Sequence, residues 1–213
     1  MPFTLKSKLP RLAREFYQGR GAIFWTHTME ARGTGWLNES FHREFREVLL
    51  HTCGRYAVDC PCYVLMPDHW HLVWLGLNAS SDQQLATAFL GKNMSPALGA
   101  VRLQDRAHDR ILRESERLPE AFQSASFYVF NNARRANLCA DWREWPYLGA
   151  MIMGYPNLDP RAEEFWTDIW KIHNRLVDRE TNPCAPAQGY NEIPKKPNVA
   201  RPGRGGTAPA PAR

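Results

Sequence analysis

No stretch of this 213-residue chain approaches the roughly 18 to 20 apolar residues that a membrane-spanning helix requires, and its opening, Met1-Pro-Phe-Thr-Leu-Lys6, lacks the apolar core of a secretory signal. The expectation is a cytoplasmic protein with no membrane partner. Cysteine is sparse as well. Cys53, Cys60, Cys62, Cys139 and Cys184 are odd in number and show no C-x-x-C spacing, which excludes a disulfide framework and fits reduced thiols. Over most of its length the chain also lacks net charge. Of the formal +5, the segment from Pro183 onward carries Lys195, Lys196, Arg201, Arg204 and Arg213 against Glu192 alone, so the rest is nearly neutral. A pI near 9.1 therefore argues for a nucleic-acid partner only where the cations cluster. They cluster at Arg106, Arg110 and Arg113 and again at Arg134 and Arg135, besides Lys195 and Lys196 in the tail.

With 44% hydrophobic residues the chain can bury one good core, expected over 1–180. Residues 181–213 read as a Pro/Gly-rich basic tail; from 183 on they hold seven of the 16 prolines and few apolar groups, a composition that predicts disorder.

The six residues Met66-Pro-Asp-His-Trp-His71 carry the most chemistry. Side chains two apart on a strand share a face, so His69 and His71 can grip one ion while Trp70, Leu72 and Trp74 point away. Taken alone, the spacing is more often that of two packed or exposed histidines than of a metal site. A second element changes the balance: in Tyr128-Val-Phe-Asn-Asn132 a phenol and an amide lie four apart on a predicted helix, hence on one face. Two imidazoles, a hydroxyl nucleophile and an amide oxygen make a coherent site for phosphodiester transfer. A four-ligand zinc site of Cys60, Cys62, His69 and His71 fails on geometry. With Pro67-Asp68 as the turn, Met66 opposes His69, Val64 opposes His71, Cys62 opposes Val73 and Cys60 opposes Leu75, about 20 Å along the hairpin from His69.

Ile23–Met29 reads as a first strand. Its His27 is expected to pack rather than bind metal. Asn38 caps a helix with Phe41, Phe45, Val48, Leu49 and Thr52 on one buried face. The hairpin strands follow, Tyr56–Met66 and His69–Leu77. Ser81-x-x-Gln84 predicts the start of a second helix, with Leu85 and Phe89 on its inner face, broken at Asn93-Met-Ser-Pro96. Ala107–Leu112 reads as a last strand, and Pro119 opens a helix running to about Ala136. Asp159-Pro160 caps a final helix with Phe165, Ile169, Ile172 and Leu176 in one stripe. The order β-α-β-β-α-β, followed by helix, predicts a ferredoxin-like α/β sheet.

At these residues the sequence resembles a family. Tyr63-Val-Leu-Met-Pro-Asp-His-Trp-His-Leu-Val73 is similar to the HUH motif (His, hydrophobic, His) of single-tyrosine transposases. Tyr128-Val-Phe-Asn-Asn-Ala-Arg-Arg-Ala-Asn-Leu138 resembles the tyrosine helix of the REP-associated branch, usually Y-I-x-x-N-P-V-R/K-A-G-L. His108-Asp-Arg-Ile-Leu-Arg-Glu114 and Asp141-Trp-Arg-Glu-Trp-Pro-Tyr147 resemble the segments that precede and follow that helix, the latter with Arg143-Glu144 inserted. The chain departs at Ala133, where the family has Pro, at Asn137 for Gly, and at Trp70 for the usual Val. Asn tolerates a left-handed cap, so Asn137 still ends the helix, whereas Ala133 removes a breaker and lets the helix run through.

The resemblance implies an HUH endonuclease fold and a metal-dependent, transposase-like nicking and strand transfer on single-stranded DNA near hairpins. Tyr128 would be the nucleophile, forming a 5′-phosphotyrosine. His69, His71 and Asn132 would hold Mg²⁺ or Mn²⁺, with the protein acting as monomer or homodimer. Such a neutral ligand set binds weakly until a substrate phosphate completes it. Trp70, Trp74 and Trp142 are candidates to stack bases, with core packing the safer expectation for Trp74. The alternative is a hairpin-DNA binder that has lost cutting, which Trp70 and Ala133 would permit. A second competing reading is a metal-dependent oxygenase or hydrolase using H-x-H, against which Leu75 and Gly76 stand where a cupin needs a Glu.

Overall fold

The computed structural model describes residues 12–113, 117, 119–155 and 158–181, with side chains to 177. Lys195, Lys196 and nearly all of the expected tail lie outside the described residues.

Five strands form one sheet in the order β4-β1-β3-β2-β5: β1 is Ala22–Thr28, β2 Val58–Met66, β3 His69–Gly76, β4 His108–Ile111 and β5 Leu148–Met151. Every neighbouring pair is antiparallel. The first four are the ferredoxin-like β-α-β-β-α-β arrangement expected from the sequence; β5 extends it beyond β2. Leu148-Gly-Ala-Met151 is too short and too small in its side chains to alternate visibly, which is why no strand was expected there.

Both faces of the sheet are covered. Helices α1 (Glu39–Tyr56) and α2 (Gln83–Met94) pack on one face with Ile23, Trp25, Tyr63, Leu65, Trp70, Leu72 and Trp74. Helices α3 (Pro119–Phe130), α4 (Asn132–Arg135) and α5 (Phe165–Thr181) lie with the second cluster, which holds Ala22, Cys62, Val64, Met66, Val73 and Leu75. The alternation along β3 therefore sends Trp70, Leu72 and Trp74 to the first face and His69 and His71 to the second.

Local chemistry explains most boundaries, and moves some. Asn38 caps α1 as expected, its Oδ1 accepting from Phe41 N at 2.9 Å. Tyr56 belongs to this helix rather than to β2, because Ala57 takes a left-handed cap at φ 50°. The cap of α2 is Asp82, which accepts from Leu85 N at 3.0 Å. Ser81 is instead drawn into the hairpin base, accepting from Leu77 N and Asn78 N and donating to Ala57 O. That one-residue shift turns Leu85 outward (46% exposed) and buries Ala86, Leu90 and Met94, correcting the expected face. The hairpin register holds for Met66/His69, Val64/His71 and Cys62/Val73, but Asp59, not Cys60, opposes Leu75. Pro61 has no N–H for the ladder, so the strand bulges there and sends Cys60 and Cys62 to opposite faces. The Phe165, Ile169 and Ile172 stripe of α5 packs as expected. Its helix starts at Phe165, because Asp159 Oδ1 closes a local turn onto Arg161 N instead.

The tyrosine helix does not run through to Ala136. It stops at Phe130, breaks at Asn131 and resumes at Asn132. The Asn132 side-chain amide takes two of its carbonyls, Nδ2 donating to Tyr128 O at 2.8 Å and Val129 O at 3.0 Å, while Phe127 O accepts from both the backbone and the side chain of Asn131. Asn137 does take the left-handed conformation expected of it, φ 57°.

Candidate active site

His69 and His71 open β3, and the sheet brings their rings together with Nε2 atoms 3.2 Å apart. Each ring is anchored through its other nitrogen. His69 Nδ1 lies 2.6 Å from Asp68 Oδ1, and His71 Nδ1 lies 2.8 Å from Thr26 Oγ1 on β1. Asp68 is itself tied down: its Oδ2 meets Arg32 Nε at 3.1 Å, and its carbonyl accepts from Met29 N. Anchoring Nδ1 leaves Nε2 to face a common point, the arrangement used to orient metal-binding imidazoles. Burial, then the charges of His69, Arg135 and Arg32, push the His71 pKa down to about 3, with Asp68 opposing. His71 is neutral at pH 7, as a ligand has to be.

Tyr128 projects from α3, half exposed at 52%. Phe24 of β1 links it to the histidines, its ring 5.1 Å from that of His71 and 6.4 Å, edge-on, from that of Tyr128. Arg135 reaches back across the helix break, its guanidinium 4.4 Å from the Tyr128 ring centre. Asn132 spends its amide nitrogen on the helix carbonyls, leaving Oδ1 as the atom with capacity for an ion. Among the described residues no cluster of three or more His, Cys, Asp and Glu side chains is placed to hold a metal. Two converging imidazole nitrogens fit a divalent ion, and a third protein donor would have to be of another type.

The expected basic residues scatter. Arg135 joins the site. Arg110 sits opposite Phe24 in the β1–β4 register and so shares its face. Arg106 lines a cavity of about 340 Å³ on the far face, with His27 and Lys92. Arg134 turns into a second cavity of about 480 Å³ beside Phe127 and Trp142. Arg113 is exposed beyond β4. Two residues of the site, Thr26 and Arg32, escaped the sequence reading. Thr26 was legible only once β1 was known to pair with β3. Arg32 depends on a turn in which Ala31 and Arg32 both adopt positive φ.

The tryptophans are not base platforms. Trp70 and Trp74 are fully buried and Trp142 is 7% exposed. Trp70 stacks on His27, itself packed as expected, with rings 4.9 Å apart, and Trp142 stacks on Phe130 at 5.2 Å. A buried tryptophan hides about 150 to 250 Å², about 4 to 6 kcal/mol of burial. Stacking one base returns only about 1 to 3 kcal/mol, so these rings stay inside.

No family model matches the chain, and no curated protein matches it. Among solved structures, a REP-associated tyrosine transposase bound to a REP hairpin superposes with a TM-score of 0.55 at 17% identity, covering 65% of this chain and 82% of that one. A bacterial tRNA(His) guanylyltransferase-like protein in complex with GTP covers 76% of this chain and 93% of its own at 8% identity, with a TM-score of 0.46. The second superposition is too distant to carry an argument. Together with the 4-1-3-2 strand order and the paired histidines facing the tyrosine helix, the first establishes that this chain has the fold of a REP-associated tyrosine transposase.

Proposed function

We propose that the protein cuts and rejoins single-stranded DNA beside a hairpin, with Tyr128 as nucleophile. The observation that carries this reading is the convergence of His69 and His71 Nε2 on the face that also presents Tyr128. The phenol oxygen attacks phosphorus; the Tyr128 Oη–P bond forms as the P–O3′ bond breaks. The phenolic proton passes to solvent and the released 3′-oxygen takes one from water, leaving a 5′-phosphotyrosine and a free 3′-hydroxyl. Reversal at a new junction completes strand transfer. His69, His71 and Asn132 Oδ1 would hold Mg²⁺ or Mn²⁺, which when bound neutralises charge on a non-bridging phosphate oxygen. Phe24 and Arg135 hold the Tyr128 ring over the same face. The structural neighbour's REP hairpin supports a hairpin substrate. The inactive-binder alternative drew on Trp70 and Ala133; Trp70 lies on the face of the sheet opposite His69 and His71.

Denaturing electrophoresis of end-labelled hairpin DNA with a single-stranded flank, incubated with protein and Mn²⁺, tests the reading. Wild type is expected to give a covalent adduct and Tyr128→Phe none, with hairpin affinity within about threefold. An adduct persisting in Tyr128→Phe would place the nucleophile elsewhere.

A further inference from the structure

Behind the candidate site, on the other face of the sheet, lies a cavity of about 340 Å³ that the proposed reaction does not use. Its buried end is His27 of β1, 5% exposed, whose ring stacks on Trp70 at 4.9 Å. His27 lies opposite Trp70 in the β1–β3 register, between the partners of His69 and His71, so cavity and site occupy one end of the sheet from opposite sides. Helix α2 forms one wall and passes close: a Cβ on Gly91 would lie 3.4 Å from the His27 ring. The other wall is the segment before β4. It is fastened to β1 by Gln104 N, which donates to Thr28 O at 2.9 Å, and by the bridge between Met29 and Leu103. The cavity is therefore built into the fold by backbone pairing and helix packing.

The side chains on these walls suit a particular kind of ligand. Lys92 on α2 and Arg106 before β4 are exposed, one from each wall, and among the described residues neither is held in an ion pair. Two such cations suit a phosphate. Further in, Thr87 is 4% exposed; its Oγ1 accepts from Trp74 Nε1 at 3.0 Å and can still donate its own hydrogen. Gln84 and Gln104 each offer amide donors and an acceptor, and Asp105, the one acid in the lining, accepts only. A base edge presents donors and acceptors side by side and needs such a mixture to meet it. The volume is at the small end of ligand pockets, roughly 300 to 1,000 Å³, which leaves room for one nucleotide and not for a duplex.

We propose that this cavity is a second nucleotide site, taking one unpaired base together with its phosphate, the phosphate lying between Lys92 and Arg106. A route to it exists. β4 is the edge strand, and its Arg110 lies opposite Phe24, on the face of the candidate active site. Arg106 is four residues earlier, at most about 13 Å away, so a single strand crossing that edge passes from one face to the other. The choice of a nucleotide over another phosphate ester rests on the reading of the protein as a DNA-processing enzyme; the cationic cavity does not.

The test uses the full-length chain without divalent ions, and fluorescence anisotropy of one hairpin DNA prepared with and without a single-stranded flank. Ala88 is exposed and lines the cavity, so Ala88→Phe fills it without altering charge. This variant is expected to bind the flanked hairpin at least about fivefold more weakly and the bare hairpin within about twofold of wild type. Lys92→Gln and Arg106→Gln should act in the same direction, whereas Arg43→Gln, the same charge change at an exposed position of α1, should stay within about twofold. Calorimetric titration with the four deoxynucleoside 5′-monophosphates and with inorganic phosphate identifies the source. Mononucleotide binding that Ala88→Phe removes, with DNA affinity unchanged, assigns the cavity to a free nucleotide instead of one in the strand. Binding of inorganic phosphate with no preference for any nucleotide overturns the nucleotide assignment. An Ala88→Phe variant that treats the two hairpins alike and binds every mononucleotide as wild type does overturns the proposal, and leaves adduct formation by Tyr128 standing. Conversely, nucleotide binding in a protein that forms no adduct overturns the proposed reaction and leaves the cavity assigned.

Discussion

His42 is kept neutral by what surrounds it. Its Nε2 accepts from the Tyr63 hydroxyl at 2.9 Å, while Arg46 Nη1 donates to the same oxygen at 3.0 Å. Burial first, then the charges of Arg46 and Arg161, lower its pKa from 6.5 to about 4. Burial likewise drives the Tyr63 phenol up to about 12, so it remains a donor. Between about pH 4 and 6.5 His42 binds fewer protons in the folded state than in the unfolded chain. The stability from a neutral His42 is therefore present above about pH 6.5 and lost as pH falls toward 4. Thermal melts across that window should fall less steeply for His42→Gln than for wild type; parallel slopes would mean that His42 is not the group responsible. At the candidate site, His69→Ala and His71→Ala should each abolish metal-dependent adduct formation without unfolding the protein, since neither ring is in the core. Calorimetric Mn²⁺ titration with uncleaved hairpin DNA present checks this. Unchanged binding in the double variant would remove the metal site.

Elements here are fastened by backbone as much as by side chains. At the end of β3, Gly76 N donates to Gly21 O, and Gly19 N, from the segment before β1, donates to Ser81 O. A Cβ on Gly76 would run into the Gly19 carbonyl, which cannot swing aside like a side chain. Gly76→Ala is therefore expected to cost about 1 to 3 kcal/mol, read as a lower denaturation midpoint at unchanged m-value. Wild-type stability in this variant would show that the two segments separate easily. The break at Asn131 belongs to this scale too. It lets Arg135 reach back to the Tyr128 ring, joining the cation to the nucleophile.

For the whole molecule, charge lies unevenly along the chain. No described helix is long and apolar enough to cross a membrane. The segment from Pro183 carries five cations against one anion. If it contacts DNA, deleting 183–213 weakens binding and flattens its salt dependence. Losing three to five phosphate contacts on a single strand changes the slope of log K against log salt by roughly 2 to 3.5. Full-length and truncated proteins, titrated with hairpin DNA at several salt concentrations, give that slope directly. An identical slope would place binding on the folded part, where Arg110 and Arg135 share the face of the candidate site.

The succession of the first four strands along the chain, the hairpin register near its turn and the shared face of His69 and His71 were legible in the sequence, because period-two alternation and a tight turn are local properties. So were the Asn38 cap and the left-handed Asn137. Contacts that depend on which distant strands become neighbours were not. Thr26 meets His71 only because β1 pairs with β3, and Arg32 meets Asp68 only through an unusual turn. The cap shifted from Ser81 to Asp82 because the hairpin base competes for the Ser81 hydroxyl. The helix broke at Asn131 where the Asn132 side-chain amide takes the Tyr128 and Val129 carbonyls, while Phe127 O still accepts from the Asn131 backbone. Local pattern placed the reactive groups on their elements; tertiary pairing decided how they are oriented toward one another, since orientation is set by partners far away in the chain.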